Sequence, residues 1–211
     1  MNLPNALTVG RIVATPFIAV LPMSNSSTAR LVAFVLFVFA AVTDYVDGYL
    51  ARSRKEETDL GRLLDPAADK LLLVGTLIPM YLLAKTFPFV TPIGPIGLPL
   101  WIVLVVLGRE VFMTVFRQAA ARKGVVIAAI RSAKWKTGFQ LVWQGSAYCW
   151  FWAATLAAEK HVDNQSAWRG FALFNGTVGT IMMVVATFLT IYSLVVYMRS
   201  FSNIFAMSDE R

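Results

Sequence analysis

Long apolar runs, separated by short polar or Pro/Gly-rich stretches, dominate the chain. A helix that spans a bilayer needs about 20 mostly apolar residues. The pattern predicts six such helices, at residues 5–23, 29–52, 66–86, 100–122, 134–158 and 169–198. In the first, Arg11 leaves an uncharged run of only residues 12–23, so its first turns are expected at the membrane interface. We therefore predict an all-α integral membrane protein, a six-transmembrane-helix bundle that forms a single domain over residues 1–211.

Composition supports a membrane protein and excludes several soluble classes. Of the 211 residues, 57% are hydrophobic and 15% charged, whereas a soluble domain carries about 25% charged residues. A single cysteine, Cys149, excludes an intramolecular disulfide scaffold. The net charge of +7 is explained by cytoplasmic loops and anionic lipid head groups, so no nucleic-acid partner is expected. Residues 1–10 lack the cationic start and cleavage site of a signal peptide.

Loop charges predict the orientation of the helices. The connections after the second and fourth helices, with their flanks, hold ten Lys or Arg residues, against four in the other three connections. By the positive-inside rule the two basic connections face the cytoplasm. With six spans, both termini are then cytoplasmic as well.

Four aspartates lie where apolar helices should carry no charge. Asp44 and Asp47 are three residues apart, and Asp65 and Asp69 are four apart, so each pair shares a helix face. A short connection joins the two helices, which predicts that they are antiparallel neighbours and that both pairs converge at their cytoplasmic ends. One such residue is explained by a helix end that reaches the interface, but four together indicate a site.

The chemistry of four carboxylates points to divalent cations, because like charges raise the free energy of a shared site unless they are compensated. Oxygen ligands suit Mg²⁺, Mn²⁺ or Ca²⁺ rather than zinc. Two such cations are a recurrent device for displacement at phosphorus. Gly48 and Ala51 would let a ligand approach the helix backbone, and Arg52 can bind phosphate. Close helix packing is the alternative explanation for the two small residues.

Residues 44–69 resemble the signature of the CDP-alcohol phosphatidyltransferase family, D-x₂-D-G-x₂-A-R-x₈-G-x₃-D-x₃-D, with all eight fixed positions present. The resemblance covers nearly the whole chain and implies a homodimer that holds CDP-diacylglycerol with its diphosphate on two divalent cations, Mg²⁺ or Mn²⁺. An alcohol hydroxyl then attacks phosphorus and CMP leaves. By analogy Asp44, Asp47, Asp65 and Asp69 are metal ligands, and Asp69 is also the general base.

The resemblance further implies the contacts to the lipid nucleotide. Those within the signature segment are Gly48, Ala51, Arg52, Thr58 and Gly61. The opening segment, residues 2–11, resembles family members that use glycerol 3-phosphate as acceptor, which places Asn5 and Thr8 at the nucleotide and Arg11 near the site. A helix cap and an interfacial anchor are the alternatives for these residues taken singly.

Cations on the fourth and fifth helices indicate the acceptor. Glycerol 3-phosphate is a dianion that needs a cationic pocket, which Arg109, Arg117, Lys134 and Lys136 would supply. The segments around Arg109-Glu110 and Lys134-Trp-Lys136 resemble the same glycerol-3-phosphate-dependent members. An ion pair for Glu110 and positive-inside flanking charge for the lysines are the alternatives.

Other functions stay open from the residues alone. A related transferase would use inositol phosphate or phosphatidylglycerol as acceptor. A divalent-cation transporter is a different class, since membrane aspartates can line an ion path, and a non-catalytic membrane adaptor is a third. The position of all four aspartates near one membrane face favours the transferase. We expect a multi-pass protein of the bacterial cytoplasmic membrane, in contact with membrane lipid, whose active site faces the cytoplasm. A stripe of small residues, Ala172, Gly176 and Thr180, is expected to pack within the bundle or between protomers.

Overall fold

The computed structural model describes the backbone of residues 3–54, 59–122, 131–161 and 165–206. Side chains are described for residues 5–44, 61, 64–122, 135–161 and 165–199. Within these residues lie six helices: α1 (Leu3–Val20), α2 (Ser27–Arg54), α3 (Asp59–Leu83), α4 (Leu100–Arg122), α5 (Arg131–Lys160) and α6 (Ser166–Ala206). A 3-10 turn, Leu21–Met23, follows α1, and a hairpin of β1 (Phe89–Thr91) and β2 (Gly94–Ile96) lies between α3 and α4.

Two predicted helix boundaries and one predicted loop need correction. Helix α3 begins at Asp59 rather than at residue 66, so Pro66 lies inside the helix. The prediction placed this proline at the first helical position, which it favours, but the polar residues before it are helical too. Helix α6 continues eight residues beyond the predicted end at 198. The Pro/Gly-rich loop at residues 88–99 contains the antiparallel hairpin, in which Phe89 pairs with Ile96 and Thr91 with Gly94.

The chain forms two compact units. Unit 1 consists of Met1–Leu98 and Gln144–Thr180, and unit 2 of Pro99–Trp143 and Ile181–Arg211. In unit 1, α1 packs against both α2 and α3. The buried Tyr148 of α5 stacks on Phe37 of α2 with ring centres 5.4 Å apart, and its hydroxyl donates to the Ile18 carbonyl at 3.1 Å. The extent of a single functional domain over 1–211 stays a prediction.

Many large apolar side chains are exposed on the surface, as expected of a protein surrounded by lipid. Phe17 of α1, Phe39 of α2 and Phe188 of α6 are each more than half exposed. Polar side chains instead pair in the interior, where Gln144 donates to the Thr76 hydroxyl at 2.9 Å. Buried polar groups need such partners, because an unpaired one costs free energy.

Four helical stretches in the described residues are long and apolar enough to cross a membrane, with mean hydropathy of 1.3 to 2.2: Asn5–Met23, Ser27–Asp44, Leu64–Leu83 and Ser166–Arg199. An all-α membrane protein is therefore confirmed, with the small hairpin as the exception. The predicted fourth span forms helix α4, whose apolar run Arg109 and Glu110 interrupt. Six spans and two cytoplasmic termini stay a prediction.

A polar latch joins the start of α2 to the end of α5 in unit 1. Glu159 accepts hydrogen bonds from the Ser27 backbone N–H, at 2.9 Å, and from the Ser27 hydroxyl. These bonds hold the pKa of the Glu159 carboxyl below its ordinary value. The buried Arg30 donates to the Pro22 carbonyl at 3.0 Å and to the Thr155 hydroxyl. Hydrogen bonds of the Glu159 and Arg30 side chains, which we call the latch, thus connect the start of α2 to the end of α5.

The hairpin packs against small residues of α6. A Cβ added at Gly176 would overlap the backbone of Val90, and one at Gly179 would lie 2.6 Å from the Phe89 ring. Gly176, a member of the predicted small-residue stripe, therefore packs within unit 1.

Candidate active site

One face of α1 meets the aspartates of two other helices. Thr8 and Arg11 lie three residues apart, so they share this face. Both residues are buried, at 1% and 2% exposure. Because α1 packs against α2 and α3, the two residues lie between the later part of α2 and the first turns of α3.

Arg11 connects the two aspartate-bearing helices. Its Nη1 forms salt bridges with Oδ1 of Asp44 on α2 and with Oδ1 of Asp69 on α3, the latter at 2.9 Å. The Thr8 hydroxyl donates to Oδ1 of Asp65 at 2.8 Å. We call these three carboxylates, with Thr8 and Arg11, the aspartate cluster. The sequence prediction that the aspartates of the two helices converge agrees with this geometry for the three whose side chains are described.

The carboxylates of the cluster are open on the side away from Arg11. The side chain of Arg11 is 1% exposed, whereas those of Asp44 and Asp69 are 40% and 59% exposed. The guanidinium therefore contacts the carboxylates from the protein interior, and a ligand can approach them from outside.

The donor set fits the chemistry of a hard divalent cation. Carboxylate oxygens are the ligands that Mg²⁺ and Mn²⁺ prefer. Asp44 and Asp69 contact the same nitrogen, so the two contacting oxygens lie within about 6 Å of each other. Across the part of the chain that the structure describes, no group of three or more His, Cys, Asp or Glu side chains is arranged as a metal site. The fit is thus one of donor chemistry, and the ligand roles stay predictions.

Several predicted site residues lie outside the described side chains: Asp47, Gly48, Ala51, Arg52, Thr58 and Lys134. Of the predicted nucleotide contacts, Asn5 is buried in α1 and Gly61 is buried in α3. Because α3 begins before Gly61, this glycine is part of the same helix as Asp65 and precedes it by one turn.

The predicted acceptor residues whose side chains are described all belong to unit 2. Glu110 of α4 accepts a hydrogen bond from Nη1 of Arg109 at 2.9 Å. It also forms a salt bridge with Nζ of Lys136 on α5. The side chains of Arg109 and Lys136 are only 7% and 5% exposed. Arg117 lies farther along α4 and donates to the Tyr197 hydroxyl at 3.2 Å. We call Arg109, Glu110, Lys136 and Arg117 the cation cluster.

Two polar atoms near this set have no hydrogen-bond partner among the described residues. They are Nε of Arg109 and Oε1 of Gln140, and both are buried. Arg109 also donates from Nη2 to the Ser193 hydroxyl at 3.4 Å. A buried polar atom without a partner costs free energy. An anionic oxygen would stabilise Nε of Arg109 by accepting from it, and a hydroxyl group would stabilise Oε1 of Gln140 by donating to it.

Sequence reasoning missed some of these contacts. It placed Thr8 at the nucleotide, whereas the structure adds a hydrogen bond to Asp65. It placed Arg11 near the site but named no partner for it, whereas the structure pairs it with Asp44 and Asp69. A charge inside an apolar helix was the feature that indicated such a pairing. The ion pair considered for Glu110 is present. Nothing in the sequence pattern indicated Ser193 or Tyr197.

Comparison with known proteins identifies the family of the chain. Residues 1–199 match the family model described as CDP-alcohol phosphatidyltransferase. A protein of Cereibacter sphaeroides named CDP-diacylglycerol–glycerol-3-phosphate 3-phosphatidyltransferase is 38% identical over 145 residues, which are 67% of this chain and 60% of that protein. The Arabidopsis thaliana protein with the same name and the number 2 is 33% identical over 208 residues, 94% of this chain and 79% of that protein.

A third relative carries a different name. The CMP-forming cardiolipin synthase of Oryza sativa is 31% identical over 210 residues, which are 94% of this chain and 57% of that protein. The chain thus spans less than two thirds of the Cereibacter and Oryza proteins. Percentage identity to this chain therefore does not distinguish the relatives named as glycerol-3-phosphate phosphatidyltransferases from the one named as a cardiolipin synthase.

Proposed function

The chain belongs to the CDP-alcohol phosphatidyltransferase family, and on this premise we propose that it transfers the phosphatidyl group of CDP-diacylglycerol to sn-glycerol 3-phosphate. The products are phosphatidylglycerophosphate and CMP, so the reaction belongs to phospholipid synthesis. The observation that carries the proposal is the complete signature at residues 44–69, whose Asp44, Asp65 and Asp69 meet one face of α1.

The reaction is a displacement at phosphorus. The acceptor hydroxyl oxygen forms a bond to the phosphorus nearer the diacylglycerol, the bond from that phosphorus to the bridging oxygen breaks, and CMP leaves. The hydroxyl proton goes to the carboxylate of Asp69, the general base. In support, this side chain is 59% exposed and therefore within reach of a substrate, while Arg11 fixes one of its oxygens.

Asp44, Asp47, Asp65 and Asp69 would hold two divalent cations, Mg²⁺ or Mn²⁺. When bound, these would neutralise the diphosphate and stabilise the leaving oxygen. Family members generally depend on divalent cations, and the carboxylate donors of the aspartate cluster suit them.

The residues of this chain also orient the lipid nucleotide. Thr8 acts through Asp65, to which it donates. Small side chains along the signature let the diphosphate approach the helix backbone, and a guanidinium can bind it. The proposed contacts to CDP-diacylglycerol are Asn5, Thr8, Gly48, Ala51, Arg52, Thr58 and Gly61.

The acceptor phosphate is bound by Arg109, Arg117, Lys134 and Lys136. Glu110 neutralises one charge of the Arg109–Lys136 pair, so these three residues together carry a net charge of plus one, to which Arg117 adds another. Such a set suits a dianion better than a neutral alcohol. Nε of Arg109 has no partner among the side chains that the structure describes, which supports a phosphate ligand here, because a phosphate oxygen would accept from it.

One rival acceptor has specific support. Phosphatidylglycerol, the acceptor expected of a CMP-forming cardiolipin synthase, is favoured by the similarity to the Oryza protein, at 31% identity over nearly the whole chain. Inositol phosphate would need cations as well. Family membership favours a transferase with any of these three acceptors, glycerol 3-phosphate, phosphatidylglycerol or inositol phosphate, over a cation transporter or an adaptor.

We further propose that α4 and α5 span the membrane with the four more apolar stretches, so that both termini and the active site face the bacterial cytoplasm. The Arg and Lys residues between α2 and α3 and between α4 and α5 support this orientation. A homodimer is expected from the family.

The proposal is tested by CMP release from CDP-diacylglycerol by the purified protein in detergent with Mg²⁺ or Mn²⁺. Four parallel reactions contain glycerol 3-phosphate, inositol phosphate, phosphatidylglycerol or no acceptor. We expect release that depends on both glycerol 3-phosphate and metal. Release with another acceptor only would keep the family and refute the acceptor, and a folded protein that releases no CMP would refute the activity.

A further inference from the structure

A single guanidinium serves two carboxylates from two different helices. Arg11 contacts Asp44 of α2 and Asp69 of α3 through the same nitrogen. It reaches them from a third helix, 33 and 58 residues away in sequence. The contact therefore fixes the relative position of α2 and α3 where their aspartates meet.

The aspartate cluster has a buried side, which Arg11 occupies, and an exposed side, where the carboxylates can meet a ligand. Arg11 is buried, whereas Asp44 and Asp69 are 40% and 59% exposed. A divalent cation that approaches from solvent therefore meets carboxylates that the Arg11 guanidinium already contacts from the interior. Because carboxylates gathered this closely repel one another, the fold needs positive charge beside them at every stage of the reaction, including before a divalent cation binds.

We propose that Arg11 is a positioning residue, the resident counter-ion of the divalent-cation site, which keeps Asp44 and Asp69 aligned for metal binding. This inference rests on the proposed function to the extent that these aspartates are metal ligands. It predicts a specific linkage: divalent cations stabilise the wild-type protein by binding its folded state, and they stabilise a variant without the guanidinium more strongly.

The test is the melting temperature of the detergent-purified protein in EDTA and in saturating Mn²⁺, without substrates. Arg11→Met keeps an apolar chain of similar length and removes the charge. We expect it to melt about 6–12 °C below wild type in EDTA. Saturating Mn²⁺ should restore at least half of that loss, because the metal supplies the missing positive charge.

The chain offers a matched control. Arg30 is equally buried, at 2% exposure, and its guanidinium also joins different parts of unit 1. It precedes Asp44 by 14 residues on α2, or about 21 Å along the helix. Arg30→Met should lower the melting temperature by the same amount in EDTA and in Mn²⁺. Asp69→Asn should reduce the stabilisation by Mn²⁺.

The outcomes separate the two claims. A loss in Arg11→Met that is equal in EDTA and Mn²⁺, in a protein whose wild type is stabilised by Mn²⁺, would overturn the role of Arg11 and leave the metal site standing. If Mn²⁺ raises the melting temperature of neither the wild type nor Arg11→Met, the metal site itself is refuted. Should Arg11→Met fail to fold, Arg11→Lys provides the same comparison: one ammonium replaces the guanidinium, and we expect a smaller loss that Mn²⁺ again reverses.

Discussion

The hydrogen bond from Thr8 to Asp65 links the first helix to the proposed chemistry, and its removal should slow the reaction. Thr8→Val keeps the branched shape of the side chain and replaces the hydroxyl, which donates to Asp65, by a methyl group. Thr8 is 1% exposed, so the substituted methyl group occupies a site that is already dry. Asp65 then loses the contact that holds its Oδ1 at 2.8 Å.

The magnitude follows from the chemistry of this bond. A hydrogen bond to a charged group contributes about 1.5–3 kcal/mol. Asp65 is exposed, and water can replace part of the lost contact, so we take the lower end, about 1.5 kcal/mol. This corresponds to roughly a tenfold loss. We expect the loss in kcat/KM for CDP-diacylglycerol, together with a rise in the Mn²⁺ concentration that gives half-maximal activity.

A matched substitution lies on the same helix. Thr15 is also buried, and its hydroxyl donates to the Arg11 carbonyl at 2.8 Å, within α1. Thr15→Val should therefore keep kcat/KM within about twofold of wild type, since only a bond within the helix is lost. Thr8→Ser retains the hydroxyl and should retain most of the activity. CMP release against Mn²⁺ concentration measures all three variants. A folded Thr8→Val protein with wild-type kcat/KM, or an equal loss in Thr15→Val, would refute the reasoning.

Three further predictions concern the acceptor, the hairpin and the latch. Arg117→Ala should raise the KM for glycerol 3-phosphate about tenfold, by loss of one charge-assisted contact, and leave the KM for CDP-diacylglycerol unchanged; the reverse pattern in steady-state kinetics would misplace the acceptor. Gly176→Ala should cost about 3 kcal/mol, because its Cβ would overlap the backbone of β1, whereas Gly170→Ala, whose Cβ would meet no described atom within 4 Å, should melt at the wild-type temperature. Glu159→Gln should lower the melting temperature at neutral pH. Because the bonds from Ser27 lower the pKa of the Glu159 carboxyl, the difference from wild type should be constant above about pH 5 and shrink as the pH falls below the unfolded value near 4.3; a difference that grows in acid would contradict this assignment.

Helix positions were largely predictable, because apolar runs and their charged interruptions determine them. The predicted and observed bounds of α4 coincide at 100 and 122. The start of α3 was not predictable from Pro66, since proline favours the first turn without requiring it. The hairpin was missed because its strands have three residues each and its turn, Pro92-Ile93, lacks the Asn-Gly type of signal.

The site shows a similar division between local and tertiary information. Spacings of three and four residues within one helix placed the aspartates on shared faces. The partners of those aspartates on α1 lie 33 to 58 residues away in sequence, and no local pattern specifies which helix packs against them. The same applies to Tyr197, which is 80 residues from Arg117.

The most direct test of the central claim follows the acceptor itself. Glycerol 3-phosphate labelled with ³²P is incubated with CDP-diacylglycerol, Mn²⁺ and either wild-type protein or Asp69→Asn, and lipid-extractable label is compared with CMP. We predict one labelled lipid for each CMP with the wild type and neither product with the folded variant. CMP without labelled lipid, or labelled lipid formed by Asp69→Asn at the wild-type rate, would contradict the account.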